Sequence, residues 1–502
     1  MPRWDYEYRY AGHRLTEQRV AVTWTERASV LDSTVFVSRV NIEINPPFDF
    51  AATATNANPA SGFGVLYRVA DDGTTIAVFR GEWTDVRFGG SQDPVQITMS
   101  NSIDDDVALI PEAYELNYGT DEVLEKVSLW YGGSPHNPYI DSTSWPDSVA
   151  LVDLGSTYTW IFGGPGNDDA PGSPTKIVDE SGGNYTIMIA GHRTNLVSFD
   201  WWYEDADPAV GGKRVRTTAF TDTDIDHVLD GRGRTVTVFD TPTGAISIDK
   251  DNDGGYFMSW TGGDAAPGGA GDVIRRAMRS SSQRFDVLRS GPALERLNSY
   301  QLDGYIDEQV APLEWVSKTI MPLLPASLHS GADGIYVKLW PWIDDIEEYV
   351  HDLYEGSDFA AASLVSYGAA SAGSVTLRYQ WRPDKGVYLG AVTASAKNTL
   401  FGAQASAISP RTETMETRAV WDDDTAQAIV MDRIRYGAIP SRIRRYTVDP
   451  SKYGIGGSQE LRVGMPVKIT DAEVSWTGLL AWVDEIERTG DAMSVQLRIR
   501  EW

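Results

Sequence analysis

Six histidines could hold a metal or move a proton: His13, His136, His192, His227, His329 and His351. None forms a His-x-His or His-Glu-x-x-His pair, so zinc-hydrolase chemistry has no local signature. No Gly-x-Ser-x-Gly elbow exists, and Gly211-Gly212-Lys213-Arg214 lacks both the earlier glycine and the following Ser or Thr of a phosphate loop. Asp249, Asp251 and Asp253 before Gly254 place carboxylates at alternate positions, as a calcium loop begins. Position twelve is Trp260 where a bidentate Glu is needed, and both flanks read as strands. An acidic hairpin turn and a calcium site both remain open there.

Two further groupings have chemical content. Asp344, Asp345, Glu347 and Glu348 lie near Trp340 and Trp342, the composition of a sugar subsite with paired carboxylates. The same run, packing Ile343, Ile346 and Val350, also reads as the solvated face of a helix. Arg433, Arg435, Arg442, Arg444 and Arg445 form the one basic cluster. They suit either a helix C-terminus with a solvated strand face or a docking surface for an acidic neighbour, a second copy of the chain included. No catalytic, cofactor-binding or metal residue is assigned, and no enzyme activity or cofactor is expected.

The 502 residues include no cysteine, 71 acidic and 43 basic side chains, for a formal net charge of −28. Without cysteine there is no disulfide, thiolate metal site or cysteine nucleophile. So negative a surface repels phosphate backbones, which argues against stable nucleic-acid binding. Residues 1 to 405 hold 30 basic and 56 acidic side chains, whereas residues 406 to 502 hold 13 and 15. The opening lacks an apolar signal region and no run suits a transmembrane segment, which suggests assembly in a reducing cytoplasm.

These residues must be positioned mainly by β-strands. Alternation marks strands at Arg39–Ile44, Gly64–Val69, Thr75–Phe79 and Val95–Met99, and again at Thr157–Phe162, Tyr185–Ala190, Leu196–Tyr203, Thr235–Phe239 and Tyr256–Trp260. Thr261–Gly269 has linker composition. Helical periods follow at Asp272–Met278, Pro292–Leu297 and Pro312–Ile320, with strands at Ile335–Leu339 and Val375–Trp381. Asp422-Asp423-Asp424 caps a helix with the apolar stripe Ala426, Ile429, Val430 and Ile434, which is expected to lie on a sheet of Ile443–Val448, Val467–Thr470, Leu479–Ile486 and Met493–Arg500. The expected organisation is 1–130, an N-terminal β-domain; 131–262, a β-rich inserted region; 263–405, mixed α/β; and 406–502, a helix-plus-sheet domain. Ile76–Met99 and Leu479–Ile499 each carry strand, tryptophan, an Asp/Val pair and strand, an echo that also suits two unrelated hairpins.

Several spaced segments resemble the tail-tip and baseplate hub proteins of tailed bacteriophages and gene transfer agents. They are Gly271-Asp272-Val273-Ile274, Leu302–Ile306, Pro312–Val316 leading to Leu323-Leu324-Pro325, Gly331–Tyr336, Leu461–Thr470, Trp482–Ile486 and Phe79–Trp83. The resemblance covers residues 39 to 100 and 263 to 502. It implies a mainly β, multidomain chain with tail-tube-like β-domains at both ends. It implies a homotrimer forming a quasi-sixfold ring that joins a hexameric tail tube, or distal tail protein, to a threefold tip, spike or fibre protein in the virion, with DNA only in transit through the lumen. A tail-associated carbohydrate-active protein using Trp340 to Glu348, and a receptor-binding module in residues 130 to 260, are the alternatives.

Overall fold

The computed structural model describes residues 5–10, 13–14, 20–27, 39–44, 63–69, 73–87, 95–100, 108–110, 159–181, 184–192, 194, 198–204, 214–216, 220–221, 225–229, 235–240, 256–262, 266–331, 334–340, 351–354, 356, 358–361, 363, 365–368, 373–395, 412–437, 441–454, 457–489 and 492–500. The chain is mainly β, with its described helices in the middle and C-terminal parts.

The N-terminal strands are β1 (Asp5–Tyr10), β2 (His13–Arg14), β3 (Val20–Arg27), β4 (Arg39–Ile44), β5 (Phe63–Val69), β6 (Thr75–Arg87) and β7 (Val95–Ser100). They hydrogen-bond in the order β2-β1-β5-β6-β7-β4-β3. Val40, Ile42, Val95, Ile97 and Met99 alternate onto the buried face, while Asp85, Arg87 and Gln96 face out.

An eight-stranded sheet follows. Its strands are β11 (Ser173–Ser181), β12 (Asn184–Ala190), β13 (Ser198–Glu204), β14 (Arg214–Arg216), β15 (Phe220–Thr221), β16 (Ile225–Leu229), β17 (Thr235–Asp240) and β18 (Tyr256–Gly262), preceded by the short β8 (Trp160–Phe162), β9 (Gly166–Asn167) and β10 (Ala170–Pro171). Its core holds Phe199, Trp201 and Met258, and both indole N–H groups of its paired tryptophans are satisfied: Trp201 donates to Thr175 Oγ1 (3.1 Å) and Trp202 to Ser259 Oγ (3.0 Å).

The middle part contains α1 (Ala270–Arg279), α2 (Val287–Leu297), β19 (Gly304–Ile306) paired with β8, and α3 (Pro312–Trp315), which continues as a π turn over Val316–Ile320 and a 3-10 turn over Met321–Leu323. Strands β20 (Ala326–Gly331) and β21 (Gly334–Leu339) form a hairpin. The Gly/Pro/Ala stretch expected to be a linker is packed where it is described: Gly163 N–H donates to Ala266 O (3.1 Å) and Leu302 N–H to Gly268 O (2.7 Å). Small residues serve close approach here. A Cβ on Gly271 would lie 1.9 Å from Leu294 O, so α1 crosses α2 through that position.

The chain then supplies β22 (His351–Tyr354), β23 (Phe359–Ala361) and β24 (Ser366–Gly368), followed by the three-stranded sheet β26-β25-β27 of β25 (Ser374–Arg382), β26 (Val387–Ser395) and β27 (Thr412–Glu416). Helix α4 (Asp423–Gly437) begins as read: Asp422 Oδ2 accepts the Thr425 N–H at 2.7 Å, with Asp423 and Asp424 in the first turn. Its stripe of Ala426, Ile429, Val430 and Ile434 packs in one core with Val375, Leu377 and Ala394 of the three-stranded sheet, rather than on the strands that follow it.

Those strands are β28 (Ser441–Val448), then, after the single turn α5 (Pro450–Tyr453), β29 (Pro466–Asp471), β30 (Trp476–Thr489) and β31 (Ala492–Arg500). They do not form a separate sheet. Thr23–Arg27 of β3 pairs antiparallel with Glu485–Thr489 of β30, fusing both ends of the chain into one 14-stranded sheet.

The two halves of that sheet repeat one plan. In the first, β4 to β7 follow one another in the chain and pair as β5·β6, β6·β7 and β7·β4; in the second, β28 to β31 pair as β29·β30, β30·β31 and β31·β28, all antiparallel. Each has one residue bulged at the same place, Thr84 between Trp83 and Asp85, and Asp484 between Val483 and Glu485. Strand β3 flanks β4 as β23 and β24 flank β28, and β1 flanks β5 as β22 flanks β29, though β22 runs parallel to its partner and β1 antiparallel. The echo between the ends is therefore a repeat of topology, but its register differs from the sequence match: Trp83 corresponds to Val483, and Glu82 to Trp482.

Candidate functional site

The ladders define equivalent positions. Ile42 pairs with Ile97 as Tyr446 pairs with Val495, so Val40 corresponds to Arg444 on the buried face. Arg444 is 4% exposed. Its guanidinium donates to Asp471 and Glu473 and, through Nε, to Ser363 O at 3.0 Å. Tyr446 Oη donates to the same Asp471 at 2.7 Å; its pKa is pushed up by burial and by that carboxylate. A charge buried this deeply is tolerable only with partners on every side, and removing one partner of such a pair costs about 3–5 kcal/mol.

On the opposite face, Arg445 donates to Glu485 and Glu487, both at 2.6 Å, reaching across β31. The bulge turns Asp484 to the same face, where it accepts from Arg498 Nε (3.0 Å), Arg498 Nη2 (2.9 Å) and Gln496 Nε2 (2.9 Å). Arg433 lies 3.5 Å from Glu413. The basic cluster is thus largely spent on carboxylates of its own chain, which the sequence shows as distant residues with no pattern linking them.

The sheet's edges are its most informative feature. Glu82 pairs with both Phe63 and Ser100, so β5 and β7 flank β6 on opposite sides. Beyond Glu82 no described strand continues β5's side of β6, leaving Trp83 to Arg87 as an edge. In the second half, the equivalent edge of β30, Glu485 to Thr489, is filled by β3. The outer side of β23 and β24, equivalent to that filling strand, bears no strand among the described residues. An unpaired row of N–H and C=O groups is a template for another chain.

Middle and sheet meet at Trp340, Tyr436 and Trp482, each 3% exposed, with Trp340 edge-on to Tyr436 at 4.8 Å. Trp340 is therefore an internal packing residue, unavailable as a sugar platform. One turn earlier on α4, Tyr300 Oη donates to Asp432 Oδ2 at 2.5 Å. Burial pushes the Asp432 carboxyl up to about 6 despite that bond and nearby Arg435.

Among the described residues, no histidine belongs to a cluster of metal-ligating side chains. His329 is buried, its Nε2 2.9 Å from Ser327 Oγ, its ring stacked on Tyr336 at 5.3 Å; burial first, then Lys338 and Arg289, holds its pKa well below the usual value. His192 Nε2 accepts the Ile161 N–H at 3.1 Å. His13, His227 and His351 belong to β2, β16 and β22. His136, Gly211 to Lys213, the candidate calcium residues Asp249, Asp251 and Asp253, and Trp342, Asp344, Asp345, Glu347 and Glu348 lie outside the described residues. Among the described residues no three His, Asp or Glu side chains converge as metal ligands would, and no helix is long and apolar enough to cross a membrane.

No family model matches the chain, and no curated protein does. Among solved structures it is similar to the 43 kDa tail protein of prophage MuSo2 from Shewanella oneidensis, at 8% identity and a TM-score of 0.38 over 99% of this chain and 98% of that one. The tail protein from Neisseria meningitidis MC58 gives 9%, 0.40, 99% and 97%. A chain of a native gene transfer agent particle gives 12%, 0.40, 69% and 85%.

Proposed function

We propose that the chain is a structural hub of a phage-like tail tip, located in the virion, whose copies join edge to edge into a ring around a DNA channel. The observation that carries this reading is the seam between β3 and β30. Inside one chain, a strand from one half fills the edge of the long bulged strand in the other. The same edge on β6, open beyond the point where β5 stops, and the outer side of the same filling strand, β23 with β24, bear no strand among the described residues. Joining them head to tail repeats the internal seam between copies, a heterologous contact that closes into a ring. Three chains of two halves make six equivalent positions around a threefold assembly, suited to joining a hexameric tube to a trimeric tip. No catalysis is required of such a part, and an acidic lumen would repel passing DNA.

The ladders specify the test. Thr25 pairs with Glu487 inside the chain, and the equivalent residues are Ser366 and Arg87. In a chain without cysteine, Arg87→Cys and Ser366→Cys together should give disulfide-linked multimers ending at a closed trimer, while either alone gives none. Light scattering that finds only monomers at high concentration, with no cross-link under oxidation, would sink the reading.

A further inference from the structure

A cavity of about 520 Å³ opens beside β27, between that edge strand, the segment following β19 and the π turn after α3. It takes no part in the sheet edges above. Its volume lies within the range of small-ligand sites, about 300–1,000 Å³. Phe162 and Trp315 meet edge to face at 5.7 Å in its floor, and the half-buried rings of Tyr305 and Tyr388 form part of its wall.

The charges lining it balance. Lys318, Arg418 and Arg433 stand with Asp307, Glu308 and Glu416. Lys318 is held by Glu314 (2.6 Å), Glu416 by Arg378 (2.7 Å) and Arg433 by Glu413 (3.5 Å), while Arg418 lies over the Trp381 ring at 4.6 Å. An anionic ligand would have to compete with Glu314 for Lys318 and with Glu413 for Arg433, and would also meet Asp307 and Glu308. A neutral ligand bearing many hydroxyls would not, because paired ions keep spare acceptor lone pairs and N–H donors aimed at fixed points. Burial and Asp307 push Tyr305 up to about 12, and burial and Glu416 push Tyr388 up; Trp381 hydrogen-bonds the Tyr305 hydroxyl and Arg418 that of Tyr388, so each neutral phenol keeps its O–H as a donor. Their faces offer flat apolar surface to the C–H side of a sugar ring.

We propose that this cavity binds a neutral oligosaccharide, giving a tail-tip structural protein a second, glycan-contacting function. The competing occupant is an extended peptide added along the open side of β27, and the experiment separates the two. Saturation-transfer NMR on the full chain, following a screen of neutral and anionic glycans, should detect neutral trisaccharides such as maltotriose or chitotriose and no stronger signal from a sialylated analogue. Tyr388→Ala and Glu416→Gln should each weaken binding about tenfold at unchanged melting temperature, whereas Arg445→Gln, remote from the cavity, should leave it intact. Silence from every neutral glycan, equal binding by the two cavity variants, or saturable binding of a capped Val-Thr-Phe-Thr-Val peptide in place of sugar would overturn the assignment.

Discussion

Val40 and Arg444 occupy one position in the two halves of a single sheet: Val40 pairs with Met99, Arg444 with Leu497, and both side chains enter the core. One half fills the site with an aliphatic side chain, the other with an ion network closed by Asp471 and Glu473. The halves fill the equivalent position differently, while sharing strand order and bulge.

That equivalence predicts opposite outcomes for two substitutions. Arg444→Ala strands Asp471, which is fully buried, and should cost about 3–5 kcal/mol. Replacing the network, as in Arg444→Met with Asp471→Leu, should lose far less. Chemical denaturation of both variants decides the matter; equal losses would mean the network matters for shape rather than charge.

Asp432 sets a pH dependence whose sign is fixed by its environment. Its folded pKa of about 6 lies above the ordinary carboxylate value, so its protonated form is favoured by folding. The contribution is complete below about pH 4 and is lost as pH rises through about 6, a swing of up to about 3 kcal/mol. Asp432→Asn should flatten the stability profile across that window, and an unchanged slope in melts from pH 4 to 7 would refute the assignment.

Two helical glycines should respond unequally to alanine. Gly271→Ala drives a methyl group into Leu294 O and should destabilise by about 1–3 kcal/mol. At Gly291, inside α2, no side chain or backbone beyond its chain neighbours lies within 4 Å of an added Cβ, but Pro292 follows and disfavours helical backbone for a residue bearing a Cβ, so the propensity gain of about 0.5–1 kcal/mol is offset and Gly291→Ala should leave stability nearly unchanged. Thermal melts of the pair test whether close helix crossing sets the loss at Gly271.

Trp482→Ala removes one side of the small aromatic cluster that holds α4 and β21's end against the sheet. A loss of about 3–5 kcal/mol is expected, together with faster proteolysis between the middle part and the sheet. A stable, protease-resistant variant would show that other contacts fix the two parts.

Much of the fold is legible because its periods are local. The alternation of Arg39–Ile44, the Asp422 cap and the stripe of α4 each need only a few neighbouring residues to be read. What stayed hidden is non-local. Nothing near Val20–Arg27 names Glu485–Thr489 as its partner, and nothing in the arginine cluster names Asp471, Glu473, Glu485 or Glu487. Composition also misleads where one residue type serves two ends. Glycine at 268 suits a linker, yet here it permits contact, with its Cβ position 1.9 Å from Gln301 Nε2. The echo of Trp83 with Trp482 pointed to a real repeat through a match one residue out of register: the ladders place Trp83 with Val483 before the shared bulge and Asp85 with Glu485 after it.

The filling strands of the two halves are unequal. β3 is a continuous strand of 8 residues, whereas its counterpart is split into β23 and β24, of 3 residues each. In a ring joined by both, every second joint is the weaker one. If copies join as proposed, such a ring under tension should part between chains and hold within them.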